Sequence, residues 1–157
     1  MYDILEEPTG DVFRRLLEYG AKCCSHMLLV SRPTLSFGAM AHQTLTALEP
    51  HLEWMKELSS WPGTVLFGQT ASVRCYRLNP DVVRTVGGAA VGLYDWRQPN
   101  LPEDLSLVRA DGRPWLVSIA HERDAYLDIS PDELTSVMSE VHGLRLGSPG
   151  CNSSSSS

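Results

Sequence analysis

Leu105-Ser-Leu-Val-Arg109, the turn Ala110-Asp111-Gly112 and the run Pro114-Trp-Leu-Val-Ser-Ile-Ala120 open the stretch that decides the fold. The turn His121-Glu122-Arg123-Asp124, the run Ala125-Tyr-Leu-Asp-Ile129 and Ser130-Pro-Asp-Glu133 complete it. Short runs rich in Val, Leu and Ile, separated by polar or Asp-Gly turns, predict a meander of three antiparallel strands. In the central run Trp115, Val117 and Ile119 alternate with Leu116, Ser118 and Ala120. Alternation assigns the two sets to opposite faces, and both are largely apolar, so this strand is expected inside the sheet. Pro114 enters at its first position, where a missing N–H is tolerated. Ser130 and Glu133, with Pro131 between them, form a capping box for a helix bearing Leu134, Val137, Met138 and Val141. Gly143 is expected to stop it.

Reading outward, Phe13, Leu16, Leu17 and Ala21 recur at helical spacing, which predicts a helix over 11–22 capped by Thr9 or Asp11. Met27 to Val30 is a short apolar run and predicts a buried strand ended by Arg32-Pro33. Ser36 is expected to cap a helix carrying Phe37, Met40, Ala41, Leu45 and Leu48. Pro50 kinks or restarts it, and Leu52, Met55 and Leu58 continue a helical face to Ser59. Thr64–Phe67 and Ala71–Leu78 are expected to pair as a hairpin around Gly68. Asn79-Pro80-Asp81 starts a further helix, which Gly87-Gly88 weakens. The predicted fold is a single α+β domain over residues 1–146. It has a mostly antiparallel sheet of five or six strands packed with three to four helices, ending in the meander and its capped helix. Residues 147–157, rich in Gly and Ser, are expected to form a flexible tail.

The chain has 157 residues, 43% hydrophobic and 20% charged, and is long enough to bury a core without staples. No apolar run is long enough to span a bilayer, and the acidic N-terminus Met1-Tyr-Asp-Ile-Leu-Glu-Glu-Pro8 lacks a signal-like apolar segment. A cytoplasmic location is expected, with its four cysteines reduced. Between Asp95 and Glu140 there are ten acids against four bases, which accounts for the net charge of −6; the rest of the chain balances at nine and nine. That distribution disfavours nucleic acid and favours a basic protein partner.

Common catalytic and cofactor motifs are absent. Gly87-Gly88-Ala-Ala-Val-Gly92 lacks a Walker lysine and the dinucleotide spacing, and there is no G-x-S-x-G, H-E-x-x-H or paired C-x-x-C. No cofactor and no metal are expected; Cys23, Cys24 and His26 lack the spacing of a zinc knuckle. Two clusters remain. His121, Glu122 and Asp124 occupy a strand-connecting turn, where a histidine beside carboxylates suits either proton transfer or simple turn chemistry. Tyr94, Asp95 and Trp96 with Glu103 and Asp104 put aromatics next to acids, the composition of a contact hot spot, unless Trp96 folds back onto the core.

The expected function is therefore a non-catalytic acidic binding module, most concretely a bacterial immunity or antitoxin-like protein. Such proteins present carboxylates to a basic nuclease where phosphates would sit. Its partner-binding residues would be Tyr94, Asp95, Trp96, Glu103, Asp104, His121, Glu122 and Asp124. Two alternatives belong to other classes. One is a folded leader whose tail is modified, with Cys151 closing a thioether onto dehydrated Ser153, Ser154, Ser155, Ser156 or Ser157. The other is a small enzyme with a dispersed site near His121 or the Cys23-Cys24 pair.

Overall fold

A computed structural model describes residues 1–147. The tail expected to be flexible, with Cys151 and the serines from Ser153 to Ser157, lies outside the described residues apart from Gly147. That glycine belongs to the fold, its N–H donating to the Asp3 carbonyl at 2.8 Å.

In chain order the strands are β1 (Tyr2–Asp3), β2 (His26–Ser31), β3 (Leu52–Leu58), β4 (Ser60–Trp61), β5 (Thr64–Val65), β6 (Ala71–Arg77), β7 (Glu103–Val108), β8 (Pro114–Ile119) and β9 (Asp124–Leu127). The helices are α1 (Asp11–Cys23), α2 (Ala39–Leu48), α3 (Pro80–Ala89) and α4 (Pro131–Glu140). Seven strands pair antiparallel in the order β1-β9-β8-β7-β2-β6-β3, and β4 and β5 make a separate hairpin. The molecule is thus a single α+β domain. No helix among the described residues is long and apolar enough to cross a membrane.

Both faces of the sheet are used. On one, Phe13, Leu16 and Leu17 of α1, Leu48 of α2, Val82 and Val86 of α3 and Val137 of α4 join Met27, Leu29, Tyr76, Leu105 and Leu107 in the main core. Each such side chain contributes about 1.5–3 kcal/mol on burial. Helix α1 approaches the sheet at Gly20, where a Cβ would stand 2.5 Å from Leu107 Cδ1 and 3.1 Å from the Trp115 ring. On the other face Leu28, Val30, Ala71, Val73, Cys75 and Val108 cluster with Trp61 of the β4–β5 hairpin. That hairpin turns at Gly63 (φ +89°), whose missing Cβ lets it lie on Val117 and Ile119.

The meander β7-β8-β9 and the capping box of α4 form as the sequence predicts, with Ser130 Oγ accepting from the Glu133 N–H and Glu133 Oε1 from the Ser130 N–H. Asn79 caps α3, its Oδ1 accepting from the Val82 N–H. Four expectations are corrected. Leu52, Met55 and Leu58 lie on strand β3 and not on a helix; a bulge between Leu52 and Trp54 breaks the alternation and leaves a spacing of three. The Thr64 strand pairs back onto Ser60-Trp61, while Ala71–Arg77 pairs with β3 and β2. Trp115 is skipped in the β7–β8 register, since Leu107 faces Leu116 and Val108 faces Pro114. A bulge of that kind turns Trp115 to the helix side, stacked at 5.9 Å on Tyr19, away from Val117 and Ile119. Finally, α1 and α2 start after Gly10 and Gly38 with no side-chain cap, in place of Thr9 or Asp11 and of Ser36.

Candidate functional site

The site begins with an irregularity in β7. Met27 faces Leu107 and Leu28 faces Ser106, but Val30 faces Glu103, so β7 carries one extra residue opposite Leu29. Asp104 takes up this bulge in the left-handed region (φ 55°), a conformation that Asp tolerates better than most side chains. Two consecutive carboxylates are thereby drawn into the structure: Glu103 is 2% exposed and Asp104 fully buried.

Asp104 is the better satisfied of the two. Its Oδ1 accepts from the Ala120 N–H at 3.2 Å and its Oδ2 from Trp61 Nε1 at 3.1 Å. Arg32, at the end of β2, brings Nη2 to 3.6 Å from Asp104 Oδ2 and Nε to 3.9 Å from Glu103 Oε1, with its guanidinium 5.4 Å above the Trp61 ring. These separations are ion-pair contacts beyond hydrogen-bond length. Glu103 Oε2 and Arg32 Nε are buried with no hydrogen-bond partner among the described residues. Burial, then the Asp104 charge, pushes the Glu103 carboxyl above its ordinary range against the pull of Arg32. Gln98 fixes the Arg32 backbone from the other side: its Oε1 accepts from Arg32 N–H at 2.7 Å, and its Nε2 donates to the Leu35 carbonyl at 3.0 Å.

His121 closes the cluster. It sits in the 3-10 turn Ala120–Glu122 that follows β8, half exposed, with Nε2 3.4 Å from Glu122 Oε2. Glu103, Asp104 and His121 each offer one ligand atom, all within 4.8 Å of one another. Three residues singled out from the sequence are therefore brought together, although 17 positions separate Asp104 from His121. Arg32, Trp61 and Gln98 were not singled out. Arg32-Pro33 reads as a strand stop and Trp61-Pro62-Gly63 as a turn, and neither pattern signals a contact with a distant acid.

The remaining candidates part company. Tyr94 and Trp96 are buried in the main core, so they are not available as an exposed hot spot; the loop folds back. Tyr94 is further covered by Arg123, which stacks on its ring at 5.2 Å and pairs with Glu7 at 3.0 Å. Burial likewise removes Glu103 and Asp104 from direct contact with a partner. Asp95 is exposed but engaged, its Oδ2 accepting from the N–H groups of Val91 and Gly92. Glu122 and Asp124 remain exposed.

Asp124 has neighbours that the sequence reading did not gather. On β9 it precedes Tyr126, and the β1 register sets Asp3 opposite Tyr126. The Asp124 carboxyl is pushed up by burial, then by Asp3 and Glu122, and the half-buried Tyr126 hydroxyl is raised by burial, then by Asp128 and Asp124. The carboxylates of Asp3, Asp124 and Asp128 pair with no Lys or Arg among the described residues, Arg109 Nη2 reaching only the Asp128 backbone carbonyl at 2.9 Å, and the Glu122 carboxylate meets only His121.

The thiols offer little chemistry. Burial pushes Cys24 up to about 12 and Cys75 up to about 11, and raises Cys23 as well, so none of the three ionises readily near neutral pH. His26 faces Ser25 and Glu53, not the Cys23-Cys24 pair. With Glu53 and Cys75 it forms a second group of potential ligands on neighbouring strands. Open clefts flank α3, one of about 900 Å³ against α1 and one of about 730 Å³ towards Tyr94; neither is lined by His121 or Cys23. Comparison with known proteins returns no match: no family model fits the sequence, and no curated protein or solved structure matches the chain.

Proposed function

We propose that the protein is a binding module that engages a basic protein through the β1–β9 edge of its sheet, in the manner of an immunity or antitoxin-like protein. The observation that carries this reading is the set of carboxylates around Tyr126: those of Asp3, Asp124 and Asp128, none of which pairs with a Lys or Arg side chain among the described residues, and that of Glu122 beside Asp124. Like charges held together in one patch repel, and a complementary partner relieves that repulsion while being steered toward it. Tyr126 supplies a rigid aromatic body at the centre, with a hydroxyl for hydrogen bonding. The short edge strand β1 leaves the acids at the rim, where a partner can reach them. Compared with the sequence-based set, Glu122 and Asp124 are kept, and Tyr126 takes the role first given to Tyr94 and Trp96.

The test is a pull-down from the native host at low salt, with the wild-type chain beside a variant carrying Asp3→Asn, Glu122→Gln, Asp124→Asn and Asp128→Asn. A protein of high isoelectric point retained by the wild type, released by salt and missing from the variant is the expected result. Equal retention by both chains would show that the edge is not the contact surface.

A further inference from the structure

We propose that Glu103, Asp104 and His121 form a binding site for a divalent cation of the Mn²⁺ type, entered from solvent past His121. Three observations meet here. The ligand atoms of the three residues lie within 4.8 Å of one another, close enough to share one ion. Glu103 is 2% exposed, and its Oε2 is buried without a hydrogen-bond partner among the described residues, so a strong acceptor is held in the interior with nothing to accept from. Leaving such a group unmatched costs free energy, and native structures leave few of them. Last, the cluster sets two carboxylates against the single guanidinium of Arg32, which stands at 3.6 and 3.9 Å and leaves its own Nε unpartnered. A cation bound between the acids supplies the charge that Arg32 alone does not.

The donor set narrows the ion. Two carboxylate oxygens and one imidazole nitrogen suit Mn²⁺ and similar borderline ions, whereas Ca²⁺ and Mg²⁺ favour all-oxygen shells. Softer ions have a competing place in the same molecule, since His26, Glu53 and Cys75 offer a thiol. Mn²⁺ is therefore the probe that separates the two clusters. The exposed imidazole gives a route of entry and supplies the third protein ligand, leaving the remaining positions of the shell to water, and the Ala120 N–H and Trp61 Nε1 bonds hold the Asp104 carboxylate in orientation.

The experiment titrates Mn²⁺ into the full chain and follows the free-ion signal by electron paramagnetic resonance, with the melting temperature as a second reading. One ion per chain and a rise in melting temperature are expected. His121→Ala, at an exposed position, should leave the apo melting temperature unchanged and weaken binding by at least about tenfold; Glu103→Gln should do the same to affinity. Cys75→Ser should bind Mn²⁺ as the wild type does. The proposal is overturned if the wild type takes up no Mn²⁺, if His121→Ala and Glu103→Gln bind as tightly as the wild type, or if only Cys75→Ser loses the ion.

Discussion

Two groups of carboxylates on one sheet meet opposite fates. Glu103 and Asp104 are folded inside, against Arg32, Trp61 and the Ala120 N–H. The carboxylates of Asp3, Asp124 and Asp128 stay outside around Tyr126, with Glu122 beside Asp124, and none pairs with a Lys or Arg side chain among the described residues. The difference comes from backbone geometry and not from residue type. A bulge in β7 turns one pair inward, while regular pairing of β9 with β1 and β8 directs Asp124 to the helix-free face. Charge therefore has two settings here: inside, it ties the β4–β5 hairpin and the end of β2 to the sheet; outside, the carboxylates stand without a basic side chain among the described residues, the arrangement on which the proposed partner contact rests.

The largest effect is expected where the inner group is cut. Asp104→Ala deprives the Trp61 and Ala120 donors of their acceptor and takes away half of Arg32's compensation, costing about 3 kcal/mol of unfolding free energy in urea titration. Loss below about 1 kcal/mol would mean that the inner carboxylate does not hold the hairpin. Trp61→Phe keeps most of the packing and deletes a single donor to Asp104, so about 1–2 kcal/mol is expected from the same measurement.

Acid titration draws a finer contrast, with a carboxylate that is partly exposed yet paired. Burial pushes the Glu133 carboxyl up, but the Arg109 hydrogen bond, the Ser130 N–H and the charges of Arg109 and Arg113 outweigh it and hold the group below the ordinary range. A depressed folded-state pKa contributes stability that is fully present above the unfolded value, near pH 4.3, and is lost as the pH falls through the folded value. Arg109→Met should therefore lower stability at pH 7 and flatten its decline below about pH 4. An unchanged acid limb would contradict the Arg109–Glu133 assignment. The smallest effect on stability belongs to the outer group. Asp3→Asn, Asp124→Asn and Asp128→Asn together should leave the urea midpoint unchanged or slightly raised, because removing like charges at a surface relieves repulsion. A marked fall would make these acids structural.

Much of the fold was legible because local signals agreed with tertiary ones. The Asp-Gly turn at Asp111-Gly112, the Ser130–Glu133 box and the Asn79-Pro80 start each encode an element without outside help. Bulges were not legible. The one at Glu53 turned a strand into an apparent helical spacing, and the one at Trp115 moved a large ring to the other face. The inner site was half legible. Glu103, Asp104 and His121 stand out as polar residues at strand ends, but what decides their environment is Arg32 and Trp61, which arrive from elements 72 and 43 positions before Asp104. Nothing in a linear pattern distinguishes an acid that leads into a strand at the surface from one a bulge has turned inward. Tyr126 was passed over for a related reason, since on a two-sided strand an aromatic reads as core until its neighbours across β1 are known.

The association rate of the captured partner, measured from about 50 mM to about 500 mM NaCl, tests the central claim most directly. For the wild type it should fall about tenfold or more over that range, and the variant neutralised at Asp3, Glu122, Asp124 and Asp128 should associate slowly with little salt dependence. A variant that associates as fast as the wild type, with the same salt dependence, would contradict the assignment of the outer carboxylates to the partner.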